Sequence, residues 1–173
     1  FSEGFTNETF IGLEGLTSLV FEIFQQGWRT APPQVVPANT LALLPNLEHV
    51  RLQLQFSFLA LGPGRFAPLA QLRTLSISFS DISKGDPFWE ETGAGVFQGL
   101  ANLEELTLVS RNGQNRHTRL RAGLFTDLQN IRILDIDCTV EYVEEGTFDG
   151  VGVKLDLVRF GQFNNNNVRL DAG

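Results

Sequence analysis

Apolar residues recur along the chain with a fixed and unusual spacing. Between 97 and 108 they are Phe97, Leu100, Leu103, Leu106 and Leu108, in steps of three, three, three and two. Neither an amphipathic helix nor a strand keeps that rhythm throughout. It predicts a turn-like segment that feeds a short strand. The same steps run through Phe10, Leu13, Leu16, Leu19 and Phe21, and through Leu41, Leu44, Leu47, Val50 and Leu52. They return at Phe66, Leu69, Leu72, Leu75 and Ile77, and at Phe125, Leu128, Ile131, Leu134 and Ile136. A sixth copy begins with Phe148 and Val151 and then slips, with Leu155 and Leu157 expected as its strand pair. Recurrence at such intervals is the signature of a solenoid.

A further apolar column lies five residues before each start, at Phe5, Val36, Leu61, Leu120 and Val143, and fails at Thr92. Starts at 10, 41, 66, 97, 125 and 148 give intervals of 31, 25, 31, 28 and 23 residues. The surplus is expected to leave the coil as loops at 25–39, 81–95 and 111–119, the first two rich in Gly and Pro. From Val50, Leu75 and Leu134 onward, in the second, third and fifth copies, apolar and polar residues alternate, which gives a strand one buried and one wet face. The fifth copy is read this way as a single strand with Leu134, Ile136, Cys138, Val140 and Tyr142 inward.

The unit apolar-xxxx-Phe-xx-Leu-xx-Leu-xx-Leu-x-Leu resembles the leucine-rich repeat, in the Phe-containing type found in Toll-like receptor ectodomains and variable lymphocyte receptors. The resemblance implies one domain over residues 1–173, a right-handed α/β solenoid of six repeats with a parallel β-sheet on its concave face. The family places an Asn three residues after the second strand Leu. Here Phe24, Gln55, Ser80, Arg111 and Thr139 stand there, so the repeats are expected to be irregular, without an Asn ladder, and the arc flatter or twisted. The family's cysteine-rich caps are also missing. Either the chain is a piece of a longer one or its ends are covered in another way.

Composition adds little that is specific. Phe occurs 15 times and Tyr once, which fits a framework built on one recurring ring. A net charge of −7 disfavours nucleic acid, whose phosphates need a basic field. No apolar run approaches a membrane span, and no signal peptide is visible. The single cysteine, Cys138, leaves no internal disulfide or thiolate metal cluster, as in a cytosolic protein or a fragment without disulfide-bonded ends. The resemblance instead implies an extracellular chain, secreted or part of an ectodomain. Asn7-Glu8-Thr9 is a glycosylation sequon that agrees with it.

Candidate chemistry sits on the outward strand positions, since solenoids bind along that face. These are His49, Arg51, Gln53 and Gln55; Thr74, Ser76, Ser78 and Ser80; Glu105, Thr107 and Arg111; and Asp135 and Asp137. The loops offer a second set in Trp28, Trp89, Arg116 and Arg119. No catalytic fingerprint is present, and His49 and His117 are the only imidazoles. The expectation is therefore a non-catalytic module without cofactor or metal. By resemblance it would recognise a protein or a microbial surface molecule, a glycan or lipid conjugate, in innate immunity. A structural or adhesion protein that uses its repeats for assembly is the alternative.

Overall fold

The computed structural model describes residues 8–24, 40–55, 63–80, 95–110, 118–138, 140–151, 154–161 and 169–170. They form a β-solenoid with almost no helix. Six strands make one parallel sheet in the order β1 (Ser18–Phe24), β2 (His49–Gln55), β3 (Thr74–Ser80), β4 (Glu105–Ser110), β6 (Ile133–Asp137) and β8 (Leu157–Phe160). A second parallel sheet joins β5 (Thr118–Leu120), β7 (Val140–Val143) and β9 (Arg169–Leu170). From β4 onward the chain passes alternately between the two sheets for about three turns.

The steps of three have a direct backbone cause. In each of the first five coils the third apolar N–H bonds the second apolar carbonyl, and the second bonds the first. Leu100 N donates to Phe97 O at 3.2 Å and Leu103 N to Leu100 O at 3.0 Å. The same pair occurs at Leu13 and Leu16, at Leu69 and Leu72, and at Leu128 and Ile131. Tandem i→i+3 turns put residues three apart in line, whereas an α-helix would rotate them by 3.6 per turn. The coil therefore aims every third side chain at the core without a helix. The α/β class expected from the family resemblance is corrected on this point: among the described residues the only helix is a single 3-10 turn, Leu41–Leu43.

Register follows the apolar columns. Leu19, Val50, Leu75, Leu106, Leu134 and Val158 lie side by side across the sheet, as do Phe21, Leu52, Ile77, Leu108, Ile136 and Phe160. The last coil thus uses Val158 and Phe160 as its strand pair, not Leu155 and Leu157. One residue is inserted between Val151 and Leu155, which shifts everything after it by one. Leu155 then falls in the column of Leu103 and Ile131, and Leu157 turns outward beside Ile133.

The interior of the middle coils is almost wholly apolar, with Thr40 and Thr147 the buried polar residues among those described. Phe66, Phe97 and Phe125 are at most 1% exposed, and the rings of Phe97, Phe125 and Phe148 stack at 6.0 and 5.7 Å. Of the column five residues before each start, Leu120 and Val143 lie in the second sheet, where they pair. Two expectations are corrected here. The fifth strand does not run on from Leu134 to Tyr142. It bends at Cys138, whose thiol lies 3.6 Å from the Leu108 carbonyl, and resumes as β7 in the other sheet. Residues 118–119 likewise belong to β5 rather than to a loop.

Polar columns flank the apolar ones. The residue that precedes each strand forms the series Thr17, Glu48, Arg73, Glu104, Arg132 and Asp156. In the first five its carbonyl accepts two N–H groups from the next coil, as when Glu104 N and Glu105 N bond Arg73 O at 2.8 and 3.0 Å. From Glu48 onward the side chains alternate in sign. Arg73 pairs with both Glu48 and Glu104, and Arg132 pairs with Asp156. Opposite charges on neighbouring strands favour one register over its slips. A different series of Asn residues, not at the family's Asn position, stands two residues before that column. Asn46, Asn102 and Asn130 donate to the carbonyls of Glu14, Ala70 and Ala101 in the preceding coil, at 2.8 to 2.9 Å.

Candidate functional site

The sheet's outward face is a grid set by strand register. Its first row is Ser18, His49, Thr74, Glu105, Ile133 and Leu157. The second is Val20, Arg51, Ser76, Thr107, Asp135 and Arg159, and the third holds Glu22, Gln53, Ser78, Val109 and Asp137. Alternation forces this outcome: once Leu19 and Phe21 face inward, Ser18, Val20 and Glu22 face out. The structure therefore brings together His49, Arg51, Gln53, Thr74, Ser76, Ser78, Glu105, Thr107, Asp135 and Asp137 from the sequence-derived set. Gln55 and Ser80 are paired neighbours at the ends of β2 and β3. Arg119 stands in the second sheet, opposite Tyr142, and so is separated from that face. Asn7, Trp28, Trp89, Arg111 and Arg116 lie outside the described residues.

The face has a shallow depression of about 350 Å³ at its N-terminal half, lined among others by Ser18, His49, Arg51, Thr74, Ser76 and Thr107. His49 Nδ1 and Thr74 Oγ1 are 2.8 Å apart, which ties the imidazole to the neighbouring strand. Arg51 is exposed and has no ion-pair partner among the described residues. Ser76 stands beside it on one strand and Val20 on the other, with Thr74 on the next row. A guanidinium in such a setting can hold an anionic or hydroxyl-bearing group through several donors.

At the other end of the face Asp135 already has a cationic partner. Arg159 Nη1 lies 3.0 Å from Asp135 Oδ2, and the second oxygen, Oδ1, is buried without a hydrogen-bond partner. Asp135 and Asp137 therefore do not act as a matched carboxylate pair. Arg159 was not among the expected residues. It lies between Val158 and Phe160, and the misplaced strand pair of the last coil hid its outward position. Gly161, one step beyond, presses its backbone on Asp137: a Cβ there would stand 2.6 Å from Asp137 Oδ1.

A second, larger groove of about 690 Å³ runs along the polar columns, lined by Gln71, Arg73, Asn102, Glu104, Asn130, Arg132, Lys154 and Asp156. None of these was singled out from sequence, although the recurring Asn before an apolar residue at 46, 102 and 130 was a usable signal. The groove's charges are largely paired with one another, and Lys154 Nζ donates to Asn130 Oδ1 at 2.9 Å. Its donors are spent on joining coils. Away from both surfaces, Glu14 accepts the Gly12 N–H at 2.9 Å, and this backbone bond holds its carboxyl below the usual range.

No group of three or more His, Cys, Asp or Glu side chains suited to a metal ion occurs among the described residues. Among them, too, no helix is long and apolar enough to cross a membrane. Neither known protein-family models nor curated proteins match this chain.

Proposed function

We propose that the chain is a non-catalytic recognition module of leucine-rich-repeat type that binds its ligand on the outward face of the six-stranded sheet. The single observation that carries this reading is Arg51. It is an exposed cation without an ion-pair partner among the described residues, set in a shallow depression among hydroxyl side chains.

The finer architecture proposed is a shallow arc with that face on the concave side. Helices on the back of a parallel sheet stand about 8–10 Å apart and force strong curvature against a strand spacing of about 4.8 Å. Tandem turns are thinner, so the back can nearly keep pace with the sheet. The apolar columns and the Asn series support a leucine-rich-repeat assignment, although the Asn stands at another position than the family's own.

The ligand class is a polar molecule that offers anionic or hydroxyl groups, as microbial surface glycans and their lipid conjugates do. An extracellular site of action accords with this. A binding array of glycans and microbial polymers, run beside a surface-protein screen, tests the reading. The expected result is a saturable polar ligand whose binding is lost in Arg51→Glu and Ser76→Tyr, with melting unchanged. Binding that is insensitive to both substitutions would overturn it.

A further inference from the structure

His49 is exposed on the first outward row of the sheet, two residues before Arg51 on the same strand, and both line the shallow depression. Two steps of extended strand set them about 7 Å apart along β2. Thr74 and Ser76 stand beside them in register on β3, one strand spacing of about 5 Å away. The four residues therefore mark a rectangle of about 5 by 7 Å, and each side chain carries a donor. An oxyanion over its middle is within reach of all four.

The imidazole is already tied in place. Its Nδ1 lies 2.8 Å from Thr74 Oγ1, and Nε2 has no partner among the described residues. In a neutral ring one nitrogen donates and the other accepts, whereas protonation makes both donors. Nδ1–H then bonds the Thr74 oxygen, and Nε2–H is available to a ligand beside the Arg51 guanidinium. We infer that protonated His49 is a second cationic binding group of this depression, so that the ligand presents an anionic group and is held more tightly at mildly acidic pH. This rests on the outward face being the recognition surface, and narrows its ligand from polar molecules in general to those with an oxyanion or a carboxylate.

The neighbouring strands leave that position open to an anion. On β1 the residues beside His49 and Arg51 are Ser18 and Val20, and the charged Glu22 lies one row further on. On β3 Thr74, Ser76 and Ser78 carry no charge. On β4 Glu105 stands beyond Thr74, two strand spacings or about 10 Å from His49. It repels an anion from the β4 side and so keeps it over β2. Glu48, just before β2, is engaged with Arg73. A bound anion favours the protonated ring, so binding near neutral pH takes up a proton.

Inorganic sulfate and glucuronate test the inference, with glucose as the neutral comparison. Each is titrated into the chain at constant ionic strength at about pH 5.5 and about pH 8, the range over which an imidazole changes charge, and followed through amide chemical shifts. Sulfate and the uronate carboxylate stay ionised across that range, so a change in affinity comes from the protein. An anionic probe should bind about fivefold more tightly at the lower pH, the effect of one further unit charge at about 4 Å in high dielectric. His49→Gln should bind at both pH values as weakly as the wild type at the higher one. His49→Lys should bind tightly at both, which a merely structural role for the ring would not give. A response to only one of the two anions supports the inference and says whether the group is an oxyanion of sulfate type or a carboxylate. A pH dependence that survives in His49→Gln would overturn it. So would binding lost in Arg51→Glu but indifferent to pH and to His49→Gln, a result that leaves the recognition face standing. Glucose binding as well as the anions, or neither anion binding at the lower pH, would overturn it too. Shifts confined to another surface would overturn the recognition face along with it.

Discussion

Asn102 Nδ2 donates to the Ala70 carbonyl at 2.9 Å, reaching one full coil back along the solenoid. The amide closes the turn of one coil onto the turn of the next. Asn46 and Asn130 repeat the contact elsewhere. Replacing Asn102 with Ala should lower stability by about 1 kcal/mol, the net worth of one such bond. Urea unfolding would read it, and Asn102→Ala combined with Asn130→Ala should cost roughly the sum of the two.

Two glycines with left-handed backbone separate conformational strain from contact. Gly12 has φ +87° and nothing near the position of a Cβ, while Gly99 has φ +85° and would place a Cβ 2.8 Å from Ala67 Cα. Gly12→Ala should cost about 1–2 kcal/mol, the penalty of the left-handed region alone. Gly99→Ala should cost clearly more, about 3 kcal/mol, because backbone of the preceding coil must move as well. Thermal melts of the two variants side by side measure the difference.

The alternating column gives a salt-dependent effect. Arg73→Glu sets three acids in a row with Glu48 and Glu104. These side chains are 41–56% exposed, so solvent screens them and the cost should stay below about 1 kcal/mol. It should shrink as salt is raised. Arg73→Met should show a smaller loss that varies less with salt, and melting at low and high sodium chloride distinguishes the two.

Asp135 depends on Arg159. The carboxylate side chain is 19% exposed and its other oxygen is unpartnered, whereas Arg159 is 62% exposed. Arg159→Ala should therefore destabilise by about 1 kcal/mol, chiefly by stranding the carboxylate. Adding Asp135→Asn should recover most of the loss. A double-mutant cycle in urea reads the coupling.

The apolar columns carried most of the fold in the sequence. Phe97, Leu100 and Leu103 state the tandem turns, and Leu106 with Leu108 states the strand that follows. The outward grid was legible for the same reason, because alternation assigns Arg51 and Ser76 once Val50, Leu52, Leu75 and Ile77 are placed. What was missed is polar or local. Asn102 and Arg73 act through the coil before and the coil after, and a scan of apolar periodicity does not weigh such residues. The bend at Cys138 interrupts an alternation that persists on both sides of it, so pattern alone reads it as one strand. The inserted residue before Leu155 moved Arg159 out of view. The helical back expected from family resemblance gave way to i→i+3 bonding, which a three-residue step already favours.

The outward sheet face as recognition surface is tested most directly by calorimetric titration of the strongest array ligand into Arg51→Glu, with Gln129→Lys, an exposed turn position, as control. The expected result is a loss of at least about tenfold in affinity for Arg51→Glu, or about 1.4 kcal/mol, with wild-type affinity for Gln129→Lys. Wild-type affinity in Arg51→Glu, together with loss on Trp28→Ala or Trp89→Ala, would contradict it and move the site to the loops.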